Sequence, residues 1–221
     1  MTFAILFDLD GTLLDTLGDL TDSVNHTLAQ FGCPQRTPEQ VRQALGNGAR
    51  QLIALNLPED MLPQTDRILA AYQDYYRTHN AIKTKPYDGI LQALQTLSEQ
   101  YPMAVVSNKP DAATKALCAH WFPGVPARGE ASDCPRKPAP DMLHRAMAML
   151  GADRAILVGD SEVDVFTAKN AGIPCLAVTW GFRDQQELEA AGGKYFCRHP
   201  WQLPEMIEII RKNTEEETYG K

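Results

Sequence analysis

Five short runs of the chain are apolar or nearly so, and between them the hydrophobic period lengthens to that of a helix. Phe3-Ala4-Ile5-Leu6-Phe7 is apolar at every position, as expected of a strand covered on both faces. Met103-Ala104-Val105-Val106, Ala155-Ile156-Leu157-Val158 and Cys175-Leu176-Ala177-Val178 follow the same pattern, and Lys194-Tyr195-Phe196-Cys197 follows it weakly. Ile90, Leu94, Leu97 and Tyr101 form the stripe of a half-buried helix. Two further helices, Asp141 to Leu150 and Val163 to Ala171, end at Gly151 and Gly172, where a left-handed glycine closes a helix. Strand and helix in alternation predict an α/β fold, a Rossmann-like, doubly wound parallel sheet.

One stretch interrupts the alternation. From about Asp15 to Pro86 there are helical patterns and no convincing strand: Leu17, Leu20, Val24, Leu28 and Phe31 make one stripe, closed by Gly32, and Ile68, Tyr72, Tyr75 and Tyr76 mark another. This predicts a helical subdomain over 15–85, inserted into a core of 1–14 and 86–213, with a flexible tail at 214–221 around Glu215-Glu216-Glu217.

Composition adds mainly exclusions. The 221 residues carry 21 Lys and Arg against 28 Asp and Glu, a net charge of −7, with no long basic run, so a nucleic-acid or anionic-lipid partner is not expected. No apolar stretch approaches the roughly 20 residues of a membrane span, and the N-terminus has no secretory pattern. The five cysteines are scattered and never in a C-x-x-C pair, which fits a reducing cytoplasm rather than a disulfide framework. The five histidines lack zinc-site spacing.

The candidate chemistry gathers at the carboxyl ends of the predicted strands, where open parallel sheets bind ligands. Asp8-Leu9-Asp10-Gly11-Thr12 follows the first strand, Ser107-Asn108-Lys109 the second sheet strand, and Gly159-Asp160-Ser161-Glu162-Val163-Asp164 a later one, with Arg136-Lys137-Pro138 before the helix that leads to it. Asp8 and Asp10 leave an extended backbone on the same face. Two carboxylates so placed repel, and a bound cation or a proton on one of them relieves the repulsion. Both outcomes suit phosphoryl transfer, one acid attacking phosphorus while the other moves a proton. Gly11 permits a tight turn and a close backbone approach to phosphate. An all-oxygen site with few carboxylates suits Mg²⁺, with Asp160 as a further ligand and Asp164, one helical turn on, bracing it. Lys109 reads as a surface lysine, and Tyr72, Tyr75 and Tyr76 as packing.

Asp8-x-Asp10-Gly11-Thr12, Ser107-Asn108, Lys137-Pro138 and Gly159-Asp160-x-x-x-Asp164 resemble, in order, the four motifs of the haloacid dehalogenase-like hydrolase superfamily. The helical insert is similar to the cap of its phosphatase branch, and Gly46-Asn47-Gly48-Ala49 to a segment of phosphoglycolate phosphatases. The resemblance implies that Asp8 forms an aspartyl-phosphate while Asp10 protonates the leaving oxygen and then activates water. Ser107 and the Asn108 backbone would hold phosphate oxygens, and Lys137 would neutralise the transferring group. Asp8, the Asp10 carbonyl and Asp160 would hold Mg²⁺, with Thr12 and Asp164 supporting. Asn47 and Arg50 are the candidates for reading the substrate from the cap, since Arg suits a carboxylate.

The expected activity is Mg²⁺-dependent hydrolysis of a small phosphate ester, 2-phosphoglycolate first. A sugar-phosphate mutase, a pyrophosphatase or a nucleotidase would share the same residues. A dehalogenase would not need Asp10, and a phosphoacceptor signalling domain would need neither Asp10 nor a cap. Oligomeric state is left open.

Overall fold

The computed structural model describes residues 2–219. Its strands and helices, in chain order, are β1 (Phe3–Phe7), β2 (Leu14–Asp15), α1 (Leu17–Gln30), α2 (Pro38–Gln43), α3 (Gly48–Asn56), α4 (Thr65–His79), β3 (Lys85–Pro86), α5 (Ile90–Ser98), β4 (Met103–Pro110), α6 (Asp111–Trp121), β5 (Ala127–Glu130), α7 (Asp141–Leu150), β6 (Arg154–Gly159), α8 (Glu162–Ala171), β7 (Cys175–Val178), α9 (Gln185–Ala190), β8 (Tyr195–Cys197) and α10 (Leu203–Tyr219).

Six strands form one parallel sheet in the order β5-β4-β1-β6-β7-β8. β1 is apolar throughout because both of its faces are covered. Phe3, Ile5 and Phe7 pack with Ile90, Leu94 and Leu97 of α5 and Ile207 and Ile210 of α10. Ala4 and Leu6 pack with Met142, Leu143 and Ala146 of α7 and Ala168 of α8. The chain leaves β1 for β4 on one side and later fills β6 on the other, so the carboxyl end of β1 lies at a switch point, where crevices form in open α/β sheets.

The helices after β1 have their own apolar cluster, including Leu20, Val24 and Leu28 of α1, Leu52 and Ile53 of α3, and Ile68, Tyr72 and Tyr76 of α4. The chain enters and leaves this unit through a two-stranded antiparallel ribbon, Leu14 opposite Pro86 and Asp15 opposite Lys85, which is too short to show as a strand pattern. Asp19 fixes the return. Its buried carboxylate accepts the amides of Ile82, Lys83 and Thr84 at 2.9 to 3.0 Å and the Thr84 hydroxyl at 2.7 Å.

Residues 214–219, expected as a loose tail, are helical, and residues 220–221 lie outside the described residues. Arg211 pairs with Glu208 at 2.8 Å and Glu215 at 2.6 Å, spacings that support another turn of helix. Among the described residues no helix is long and apolar enough to cross a membrane.

Candidate active site

The end of β4 and the turns that follow β1 and β6 line a cavity roofed by α1, α3 and α4, and Lys137, from the segment before α7, reaches Asp8 on its floor. Asp8 has a carboxylate oxygen within 4.8 Å of oxygens from Asp160 and Asp164. Each of the three has a different job for its oxygens. Asp164 is fully committed to protein donors, with Oδ1 on Lys137 at 2.7 Å and Oδ2 taking the Ser161 amide and hydroxyl at 3.1 and 2.7 Å. Asp160 is oriented by the Thr12 hydroxyl on Oδ1 and the Phe182 amide on Oδ2, both at 2.8 Å. Asp8 Oδ1 is buried and receives no hydrogen bond, although it lies 3.0 Å from the Lys137 ammonium.

The electrostatics follow from burial. Desolvation raises the Asp8 carboxyl to about 6, against the attraction of Lys137, with Asp164 and Asp10 adding to the rise. Asp160 is pushed well above the usual carboxylate range by burial and then by Asp164 and Asp8. Burial alone would lower Lys137, but Asp164 and Asp8 outweigh it and hold the ammonium charged. Across the site the carboxylates of Asp8, Asp10, Asp160 and Asp164 face the ammonium groups of Lys109 and Lys137, a deficit of two positive charges. A hard divalent cation meets that deficit and can bind Asp8 Oδ1 beside the Lys137 ammonium, so the residues present fit a metal.

Asp10 is not in that carboxylate cluster. Its side chain is held by Lys109, at 3.0 and 3.1 Å from the two oxygens. The expectation of Lys109 at the surface therefore fails: β4 continues through Pro110, beyond the apolar run, and carries Lys109 into the cavity wall with its side chain 2% exposed. The continuation of an extended run into Ser107-Asn108-Lys109 was the available signal. Tyr72 and Tyr76 do pack within the helical unit, one turn apart with rings stacked, and they also line the cavity, where the Tyr76 hydroxyl meets Lys109 Nζ at 2.5 Å.

Ser107 is buried and lines the cavity. The Asn108 side chain is a staple: its amide donates to the carbonyls of Lys137 at 2.9 Å and Gly46 at 3.0 Å, and its oxygen accepts the Lys137 amide at 2.9 Å. That staple brings the residue before Pro138 to the strand ends. Gly11 has φ of +80°, and a Cβ there would overlap the Asp160 carboxylate, so the turn admits only glycine. Its amide bonds to the Leu14 carbonyl at 2.9 Å and closes the turn instead of facing a phosphate.

From the cap segment, Gly46, Gly48 and Ala49 line the cavity, whereas Asn47 and Arg50 do not. Arg50 lies on an exposed face of α3 and pairs with Asp66 at 2.9 Å. Its replacement by alanine is expected to leave the KM of acidic phosphate esters within about twofold, since exposed pairs contribute little; a larger rise in KM would return Arg50 to the site. Arg183, which no sequence pattern marks, is buried where the core meets the cap. It pairs with Glu162 at 2.9 Å and donates to the Leu45 carbonyl at 3.0 Å.

The profile of the haloacid dehalogenase-like hydrolases matches residues 5–178, from β1 through β7. The chain belongs to the haloacid dehalogenase-like hydrolase family. Among its relatives in that family, a phosphoglycolate phosphatase of Mesorhizobium japonicum is 35% identical over 84% of this chain and 86% of its own. An N-acetylmuramic acid 6-phosphate phosphatase of Pseudomonas aeruginosa is 30% identical over 93% and 94%. The crystal structure of a provisionally named phosphoglycolate phosphatase of Lactobacillus delbrueckii subsp. bulgaricus superposes with a TM-score of 0.87 at 34% identity, covering 92% of this chain and 97% of that one. The four segments described above lie at the carboxyl end of the sheet.

Proposed function

We propose that the protein, a phosphatase of this family, hydrolyses a small phosphate monoester, 2-phosphoglycolate first among candidates, with Asp8 as nucleophile. The observation that carries this reading is the Asp8 carboxylate: buried on the cavity floor, one oxygen without a hydrogen bond, and an ammonium 3.0 Å away. Asp8 attacks phosphorus, the ester P–O bond breaks, and Asp10 gives its proton to the departing oxygen. Asp10 then takes a proton from water, whose oxygen attacks the aspartyl-phosphate, and the bond from phosphorus to Asp8 breaks to release inorganic phosphate. Lys137 and Ser107 meet the charge on the transferring oxygens. Asp8 and Asp160, with the Asp10 backbone carbonyl, would hold Mg²⁺, which supplies charge neutralisation at phosphorus when bound. The relatives named for phosphoglycolate, at 34 to 37% identity over four fifths or more of this chain, support the choice of substrate.

A panel of phosphorylated metabolites with released phosphate as readout tests the substrate, and N-acetylmuramic acid 6-phosphate belongs on it because of the Pseudomonas relative. Chelation with EDTA is expected to reduce turnover to background, and Mg²⁺ to restore it. Mg²⁺ is also expected to raise the melting temperature of the chelated protein, because it binds the folded state alone. Full activity in EDTA would refute the metal assignment.

A further inference from the structure

We propose that Lys109 and Tyr76 form the leaving-group subsite and select esters whose alcohol carries a carboxylate. This rests on the phosphatase reading of the same cavity and refines it, naming the groups that would recognise the part of the substrate that departs.

Two cations, Lys109 and Arg183, line the cavity among the described residues, and Lys137 stands against Asp8 on its floor; Lys137 and Arg183 have partners away from the leaving-group side. Lys137 serves Asp8 and Asp164, and Arg183 serves Glu162 and the Leu45 carbonyl. Lys109 instead lies beside the acid that must reach the ester oxygen, its Nζ 3.0 Å from Asp10 Oδ1. Behind it stands the cap, with the Tyr76 hydroxyl at 2.5 Å from Nζ and the ring centroid at 4.7 Å. A leaving oxygen hydrogen-bonded to Asp10 therefore has its next one or two carbons beside this ammonium. The remaining cap wall, Leu20, Leu52 and Tyr72, is largely apolar and supplies no second charge. The geometry fits a short leaving group with one anionic end. An ammonium this far from solvent also discriminates more strongly than one in water, because its field is less screened. Arg50, the other basic residue considered for a carboxylate, is turned to Asp66 and cannot serve without leaving it.

The test compares kcat/KM for 2-phosphoglycolate with that for 2-hydroxyethyl phosphate, the analogue whose alcohol carries no charge, in the wild-type enzyme with Mg²⁺, in Lys109→Gln and in Tyr76→Phe. The wild type is expected to favour the carboxylate ester. Lys109→Gln should lower that preference about 10- to 100-fold, chiefly through KM for the charged ester, as loss of a charged hydrogen bond would. Tyr76→Phe should shift it in the same direction by less. Equal preference in the wild type overturns the proposal, and so does a Lys109→Gln variant in which both esters slow by the same factor, since Lys109 would then act on Asp10 alone. Should Lys109→Gln fail to fold by circular dichroism, the wild type decides by inhibition. Glycolate must compete with substrate at concentrations where ethylene glycol does not, and equal inhibition overturns the subsite. No turnover of any phosphate monoester would instead refute the phosphatase reading, and the subsite with it.

Discussion

Asp8→Asn is expected to lower turnover by at least ~10⁴-fold, while the chelated protein at pH 7 stays folded and is no less stable than its parent. The loss of activity follows from the nucleophile: an amide oxygen does not form the acyl-phosphate that the carboxylate would. The stability follows from electrostatics. Burial holds the Asp8 carboxyl at about 6 in the fold, above the ordinary 3.8, despite Lys137. The folded state therefore binds more protons than the unfolded state between those values. Asp8's contribution to stability is greatest below about pH 4 and is lost as pH rises through 6, at roughly 1.4 kcal/mol per pKa unit. Asparagine has no charge to desolvate, and Lys137 keeps Asp164 as a partner at 2.7 Å. Melting curves in EDTA from pH 4 to pH 7 should show the variant gaining on the parent as pH rises. A parent that gains instead would mean that Lys137 outweighs burial at Asp8, and turnover retained by the variant would remove Asp8 from the chemistry.

Much of this arrangement was legible in the chain because doubly covered strands leave continuous apolar runs. β1, β6 and β7 stand where Phe3–Phe7, Ala155–Val158 and Cys175–Val178 put them, with at most one residue added at either end. β5 left no such trace: Ala127-Arg128-Gly129-Glu130 is an edge strand, paired on one side only and free to be polar. α3 was hidden by its own start, since its first residue, Gly48, closes a Gly46-Asn47-Gly48 run rich in poor helix formers. The acids were legible because their spacing from strand ends is a backbone property. Of the cations only Lys137, marked by the Lys137-Pro138 motif, was legible; the others were not, because whether a lysine or arginine is buried depends on what the rest of the chain lays over it. Lys109 and Arg50 illustrate this in opposite senses, the first covered by α4 through Tyr76 and the second left on the solvent side of α3. Arg183 became visible only through the carbonyls at the end of α2 and beyond that surround its guanidinium.

Lys137→Met is expected to be the more damaging change for the fold, in contrast with Asp8→Asn. Methionine fills much of the lysine volume but removes the one ammonium between two carboxylates, Asp8 at 3.0 Å and Asp164 at 2.7 Å, where the Asp164 side chain has no exposure at all. Breaking a buried pair from one side leaves an uncompensated charge and costs about 3–5 kcal/mol, or roughly 6–20 °C in melting temperature for a chain of this size. The backbone staple from Asn108 survives the substitution, so the loop keeps its place and the loss is electrostatic. Two consequences separate this from simple loss of packing. The double variant Asp8→Asn/Lys137→Met should be less destabilised than the sum of its parts, because one of the stranded carboxylates is gone. Divalent cation should also stabilise Lys137→Met more than the parent, since the deficit of positive charge has grown from two to three. Additive losses, with no extra gain from Mg²⁺, would show that the lysine is held there for its methylenes and not for its charge.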